Sequence, residues 1–396
     1  MKYGKLLPVL LLCVMLCGCD YLSRGSYVSI EDPKPQSSSG VKENPSADSY
    51  QALYMALAEM IENGVTQRTL SVGRYDKSTL EADLARIQQD ICQTHPIAAW
   101  AVQQIRCTRG TIGGTDAVSV EISYLHGKNE IHRIVTVNNN EQARDIIASA
   151  LNNFDTGIVL QVLSYTEVDY EQMVADYALK FPEFVMELPQ LSVTLFPENG
   201  ESRVVELKFS YQTSRDILKK MQNQVAPVFT SAVLYVSGDA VHHQKYAQLF
   251  SFLMERYDYK LDTSITPTYS LLRQGIGDSR SFAMVYAAMC RQAGLTCQVV
   301  SGTRDGQSWY WNIVLDDGYY YHVDLLRCSE NGSFEELGDS EMDGYVWATG
   351  YYPSCGIPEP EPPYPIEPKP PFEPSVPVLP PNKGQDPEPG EENIEN

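Results

Sequence analysis

Apolar and polar residues follow two regimes between Ser49 and residue 356, with unpatterned polar sequence on either side. In the first regime one order of elements occurs twice. A helix "YQALYMALAEMIENG" (50–64) is followed by a strand "RTLSVGRY", a helix "STLEADLARIQQDI" and two strands, "WAVQQIRCTRG" and "AVSVEISYLHG". The second copy runs helix "EQARDIIASALNNF" (141–154), strand "IVLQVLSY", helix "DYEQMVADYALKF", then strands "LSVTLFPENG" and "RVVELKFSYQT". Ile122-Ser123-Tyr124 is answered by Phe209-Ser210-Tyr211 at a spacing of 87 residues. Along the last strand Val204, Glu206, Lys208 and Ser210 alternate with Val205, Leu207, Phe209 and Tyr211. Such alternation predicts a sheet with one wet face and helices on the other. The pattern predicts two duplicated α-β-α-β-β modules, over 49–137 and 138–225, although a single larger α+β domain would read similarly.

In the second regime a helix "DAVHHQKYAQLFSFLMERY" leads to "GDSRSFAMVYAAMCRQAGL" (277–295). There Phe282, Val285, Tyr286, Met289 and Ala293 fall at i, i+3, i+4, i+7 and i+11, which predicts a helix with one buried face. Ser279 sits at its start, as an N-cap or a first-turn residue. Strands "CQVVSGT", "WYWNIVLD" and "YYYHVDLL" follow. The fold class expected is α+β throughout, with this third domain spanning 226–356.

The ends of the chain change the picture from a cytosolic to an exported protein. "MKYGKLLPVLLLCVMLCGC" carries two lysines, an apolar run and small residues, and is too short for a membrane span. Its "LCGC" resembles the lipobox of bacterial lipoprotein precursors. That resemblance implies removal of residues 1–18, acylation (palmitate among the chains) of Cys19, and a protein held on the extracytoplasmic face of the cell membrane. Residues 19–48 read as a polar, Ser/Pro-containing tether. Fifteen of the 25 prolines follow residue 352, so 357–396 reads as an extended, coreless Pro/Glu-rich tail, a spacer or a ligand for a groove.

A net charge of −21 argues against nucleic acid and anionic surfaces as partners. The six cysteines beyond the leader permit disulfides in an exported chain. Cys92 with Cys107 and Cys328 with Cys355 are the pairs expected if any form; the alternative is free thiols packed as small hydrophobes. No CxxC or Cys/His cluster occurs, so no metal site is expected. No cofactor is expected either.

The blocks "GDSRSFAMVYAAMCRQAGLTCQVVSGT", "WYWNIVLDDGYYYHVDLL" and "DGYVWATGYYPSC" resemble the transglutaminase-like superfamily, relatives of papain-type cysteine proteases. The resemblance implies a nucleophilic Cys at the helix start, a His on the next strand two residues before a Trp-Asn pair, and an Asp on the strand after. In this chain those positions hold Ser279, Trp309 and Asp324. A thiolate at a helix N-terminus beside an imidazolium is an activated nucleophile. A serine hydroxyl needs a general base, and an indole N–H is only a donor.

The expectation is therefore a pseudoenzyme whose Ser279 caps a helix, whose Trp309 plugs the former cleft and whose Asp324 is the one position keeping the family's residue type. Trp309, Tyr310 and Trp311 are alternatively an aromatic wall for sugar or peptide stacking. A working hydrolase or acyltransferase using Ser279 is the competing reading. It needs a substitute base, for which His322, two residues before Asp324, is the candidate; His242 and His243 read as surface residues. The partner expected is a wall glycan, a peptide or another envelope protein, bound by this domain or by the two α+β modules.

Overall fold

The computed structural model describes residues 45–261 and 263–357. The expected leader, Cys19, most of the tether, and the tail beyond residue 357 lie outside the described residues. The described chain is mixed α+β and groups into two compact units. One comprises 45–140, 159–166 and 194–206; the other 141–158, 167–193 and 207–357. Pieces of the second repeat thus group with the first, where the sequence pattern suggested a break between 137 and 138.

The first unit starts with α1 (Tyr50–Glu62), whose first turn is closed by the Ser49 hydroxyl accepting from Ala52 N–H. It continues with β1 (Gln67–Ser71), α2 (Leu80–Thr94), α3 (Pro96–Ala101), β2 (Val102–Ile112) and β3 (Thr115–Tyr124). Leu53, Leu57 and Ile61 of α1, with Leu84, Ile87 and Ile91 of α2, meet Val118, Val120 and Ile122 of β3 in one buried cluster. β2 and β3 form an antiparallel hairpin turned by Gly113 and Gly114, both at positive φ (56° and 83°). A turn of this kind needs two residues that tolerate the left-handed region. β1 pairs with β3, so the sheet order is β1-β3-β2.

The second repeat supplies β4 (Val135–Asn139), α4 (Asn140–Asn153), β5 (Gly157–Ser164), α5 (Tyr170–Lys180), β6 (Gln190–Phe196) and β7 (Arg203–Ser210). Its sheet runs β4-β5-β7-β6. Three of these strands, β5-β7-β6, repeat the β1-β3-β2 order of the first copy, so the duplication read from the sequence is also one of topology. β4, which the pattern missed, adds an edge parallel to β5.

The rest of the chain includes α6 (Arg215–Tyr235), α7 (His242–Met254), β8 (Asp258–Tyr259), β9 (Ile276–Gly277), α8 (Ser279–Gln292), β10 (Cys297–Arg304), β11 (Gln307–Asp316), β12 (Tyr319–Val323), α9 (Leu325–Asn331) and β13 (Tyr345–Trp347). Their sheet is ordered β12-β11-β10-β13, with β11 antiparallel to both β10 and β12. The expected single buried face of α8 is an underestimate. Every residue from Ser281 to Cys290 is buried, because α6, α7 and the sheet all pack against it. Tyr246 and Tyr286 tie these layers together. Tyr246 OH donates to the carbonyls of Thr296 (2.7 Å) and Leu315 (3.1 Å), and Tyr286 OH to that of Tyr246 (3.0 Å).

Candidate functional site

The start of α8 is capped by Asp278 and not by Ser279. Asp278 Oδ1 accepts from Ser281 N–H (2.8 Å) and from the Ser281 hydroxyl (2.6 Å). This closes the first turn as an N-cap carboxylate should. The capping role expected for Ser279 is thereby corrected: one position further in, its side chain turns to β11 and its Oγ accepts from Tyr310 N–H at 3.3 Å. Ser279 is 8% exposed.

Trp309 leaves β11 with its ring buried and in contact with Tyr259 and Arg304. The Tyr259 and Trp309 ring centroids are 5.7 Å apart, and the Arg304 guanidinium carbon lies 5.3 Å from the Trp309 ring. Trp309 Nε1–H donates to Asp324 Oδ2 at 2.8 Å. The same oxygen accepts from Tyr345 OH (2.7 Å) and lies 3.5 Å from an Arg304 guanidinium nitrogen. The other oxygen, Oδ1, accepts from Leu326 N–H (3.0 Å) and Arg327 N–H (3.4 Å), as the N-cap of α9. Asp324 is 2% exposed. The alternative read for it, a buried carboxylate bonded to backbone and a Tyr hydroxyl, describes what the structure shows.

The chemical consequence lies in the count of ring nitrogens. An imidazole at position 309 would donate one nitrogen's hydrogen to Asp324 and keep the other nitrogen for the nucleophile's proton. Indole has one nitrogen and spends it on the carboxylate. Trp309 thus supplies a donor to Asp324 and offers no base to Ser279.

His322 does not supply that base. Its side chain is fully buried. Trp311 Nε1–H donates to its Nδ1 at 2.9 Å, and its Nε2 lies 2.9 Å from Asp339 Oδ1. Because Nδ1 is an acceptor here, the neutral ring carries its hydrogen on Nε2 and donates it to Asp339. Burial, outweighing the pull of Asp339, lowers the His322 pKa and favours that neutral form. The substitute triad Ser279-His322-Asp324 is therefore not assembled: Asp324 lies past the end of β12 as a helix cap, and both His322 nitrogens are committed elsewhere. A metal ion at His322, Asp339 and Cys355, whose ligand atoms lie within 4.8 Å of one another, meets the same obstacle. The nitrogen facing those partners has no lone pair to give.

The aromatic wall is corrected too. Trp309 and Trp311 are 7% and 1% exposed. Trp311 packs inward against Tyr345 and Trp347, with ring centroids 5.3 and 5.9 Å away. A Cβ on Gly302 would meet Val346 O at 2.3 Å and the Trp311 ring at 2.8 Å, so glycine is what lets β13 and the indole approach β10. Only Tyr310 is half-exposed, with the Arg280 guanidinium carbon 5.9 Å from its ring.

Cys92, Cys107, Cys328 and Cys355 are free, as are Cys290 and Cys297. The expected pairs do not form. The Cys328 and Cys355 thiols have local backbone partners instead, at Glu335 O and Pro353 O. Burial pushes the Cys107 thiol up to about 11 and those of Cys328 and Cys355 up to about 12. These are packed, protonated thiols. Arg304, Tyr345 and Tyr259 were missed in the sequence. Tyr345 alone carried a signal, since it stands in the closing block "DGYVWATGYYPSC".

Residues 232–356 match the model of the transglutaminase-like superfamily. No curated protein matches the chain. Among solved structures, a TGase is similar at 11% identity and a TM-score of 0.25, over 55% of this chain and 63% of that one. This chain therefore spans less than two thirds of that structure. A candidate cysteine protease from Cytophaga hutchinsonii gives 13% identity and a TM-score of 0.24, over 40% of this chain and 70% of that one. A candidate protease from Parabacteroides distasonis gives 10% and 0.22, over 56% and 35%. At these scores the structural likenesses add nothing to the family match.

Proposed function

We propose that the transglutaminase-like domain at residues 232–356 is a non-catalytic binding or scaffolding module, carried by a lipoprotein anchored through Cys19 on the extracytoplasmic face of the cell membrane. The observation that carries the first half is the 2.8 Å bond from Trp309 Nε1–H to Asp324 Oδ2. It fills the acceptor that an imidazole would use and leaves Ser279 Oγ with a backbone donor, Tyr310 N–H, as its hydrogen-bond partner. A serine hydroxyl holds its proton far more tightly than a thiol, and the helix N-terminus contributes only about 0.3–1 kcal/mol toward releasing it. Without a base the site also forgoes the roughly 10²–10⁴-fold that general-base catalysis supplies.

The anchoring half rests on the leader sequence and its "LCGC". Among the described residues no helix is long and apolar enough to cross a membrane. An acyl anchor, with each buried methylene worth about 0.8 kcal/mol, supplies attachment without one. Several chains on one cysteine make that attachment stable. The partner is an envelope component: a peptide, a wall glycan or another protein.

One experiment addresses each half. Purified protein is incubated with a fluorophosphonate probe beside Ser279→Ala. Equal, background labelling of both is expected, whereas labelling lost in S279A refutes the non-catalytic reading and revives a hydrolase. Cells fed an alkyne-tagged palmitate should label the wild-type chain and not Cys19→Ala; labelling of C19A refutes the anchor.

A further inference from the structure

A second group of side chains lies elsewhere in the same domain. His243 stands in the first turn of α7, Asp316 ends β11, and Glu336 lies in the loop after α9. Their ligand atoms lie within 4.8 Å of one another. His243 Nδ1 is 2.9 Å from Glu336 Oε2. The second carboxylate oxygen, Glu336 Oε1, is buried and has no hydrogen-bond partner among the described residues. An orphaned buried carboxylate oxygen costs about 1–3 kcal/mol or more, so it is rarely left without a reason. Burial, with Asp316 adding to it, pushes the Glu336 carboxyl above its ordinary value, while His243 pulls the other way. The Glu336 side chain is 11% exposed and that of His243 50%, which sets a recessed carboxylate beneath an imidazole that solvent reaches.

We propose that His243, Asp316 and Glu336 form a binding site for a divalent metal ion of the zinc class. The ion would satisfy Glu336 Oε1 and neutralise two carboxylates that otherwise repel across the cluster. An imidazole nitrogen with two carboxylates is a donor set for zinc and its transition-metal neighbours, whereas calcium and magnesium take oxygen donors. Three protein ligands leave a coordination position for water, which the exposure of His243 admits. The loop bearing Glu336 is held from behind: Phe334 packs on His243 and on Phe250, with ring centroids 5.4 and 5.7 Å away.

The contrast with His322, Asp339 and Cys355 is chemical. There an indole hydrogen fixes the tautomer against metal binding. His243 Nδ1 also faces a carboxylate, but among the described residues no donor holds its Nε2 as an acceptor, so the ring can carry its hydrogen on Nε2 and offer Nδ1 to a metal. The absence of a Cys/His motif in the sequence hid the cluster, whose members are 73 and 93 residues apart from His243.

The test uses the purified protein, stripped by dialysis against a chelator and titrated calorimetrically with Zn²⁺ and, separately, with Ca²⁺. A single saturable Zn²⁺ event is expected, with Ca²⁺ far weaker. His243→Ala and Glu336→Gln should each weaken Zn²⁺ binding by at least about tenfold, the scale on which metal sites respond to loss of a supporting group. Cys355→Ala should leave binding unchanged. His243 is surface-exposed, so H243A is expected to fold, and tryptophan fluorescence checks that it has. Absence of Zn²⁺ uptake by the wild type, uptake that H243A and E336Q leave intact, or Ca²⁺ binding as tight as Zn²⁺ overturns the proposal.

Discussion

Asp324 is the residue at which the structural and the catalytic accounts of this domain diverge most in what they predict. Four hydrogen-bond donors and one cation converge on its buried carboxylate: Trp309 Nε1–H, Tyr345 OH, the N–H groups of Leu326 and Arg327, and the Arg304 guanidinium. Asp324→Ala removes the cap of α9, worth about 1 kcal/mol. It also strips a charged acceptor from two buried donors, Trp309 and Tyr345, at roughly 1.5–3 kcal/mol each. The sum, about 4–7 kcal/mol, is comparable with the whole stability of an ordinary domain.

Asp324→Asn is therefore the more informative change. Its remaining carbonyl oxygen serves the cap, and its amide faces Trp309 and Tyr345. The tyrosine hydroxyl turns round and accepts; the indole, a donor only, does not. The cost concentrates on one contact, about 1.5–3 kcal/mol. Trp309→Phe removes that donor. In the D324N background it should thus cost at least about 1 kcal/mol less than in the wild type, a coupling readable from a double-mutant cycle. Urea unfolding followed by tryptophan fluorescence reports on the right part of the chain, since Trp309, Trp311 and Trp347 lie in this domain and Trp100 does not. D324N within about 0.5 kcal/mol of wild type, or strict additivity with W309F, refutes the account of Asp324 as the hub of a donor network.

Three further outcomes follow from the same geometry. Placing a thiol at 279 and an imidazole beside Asp324 should create a nucleophile. Ser279→Cys alone alkylates slowly at pH 7, whereas S279C with Trp309→His, which supplies an imidazole beside Asp324, should react at least about tenfold faster with iodoacetamide, because a paired imidazolium lowers the thiol pKa. Equal rates would mean that position 309 does not face residue 279. The depressed pKa of buried His322 sets a pH dependence. The unfolded chain takes up this proton near 6.5 and the folded chain at lower pH. The stability that His322 confers is therefore present above about pH 6.5 and is lost as pH falls below it, by about 1.36 kcal/mol per unit of pKa depression. His322→Gln should flatten this slope, and an identical pH profile in the variant contradicts it. Finally, the free thiols predict that reductant leaves the Tm unchanged; a fall of several degrees on adding dithiothreitol would show a disulfide.

What could be read from the sequence was what local periodicity determines. The α-β-α-β-β order of both repeats follows from alternation and helical spacing, and each strand falls within a few residues of its expected place. The edge strand β4 was missed because "VTVNN" is short and mostly exposed, so it carries little of the apolar signal on which strand detection rests. The grouping of residues into units escaped for another reason: 159–166 and 194–206 join the first unit through contacts distant in sequence, which no local period encodes.

At the site the residue types were legible and their partners were not. Ser279 was read as a cap because the rule for helix starts accepts Ser and Asp alike, and the neighbouring Asp278 took the role. The partners of neither histidine could be read from the sequence, for a common reason. A histidine's chemistry is fixed by what faces each ring nitrogen. For His322 those are Trp311 and Asp339, 11 and 17 residues away; for His243 the partner is Glu336, 93 residues away. The first pairing rules out His322 as a substitute base, and the second leaves His243 half-exposed, as expected from the sequence, with a carboxylate at its Nδ1.

Against the cysteine and histidine that the family resemblance implies, Ser279 and Trp309 differ in what they demand of the surrounding fold. Serine for cysteine is nearly isosteric and asks nothing of its neighbours. Tryptophan for histidine adds a ring that has to be buried and a donor that has to be satisfied. The structure meets both demands: Tyr259 and Arg304 contact the ring, and Asp324 accepts the hydrogen. Asp324 also has duties that owe nothing to a triad, capping α9 and receiving Tyr345 OH. Its presence beside Ser279 and Trp309 therefore needs no catalysis to explain it. The carboxylate that would orient an imidazole, were one at position 309, is in this chain the acceptor that allows a tryptophan to be buried there.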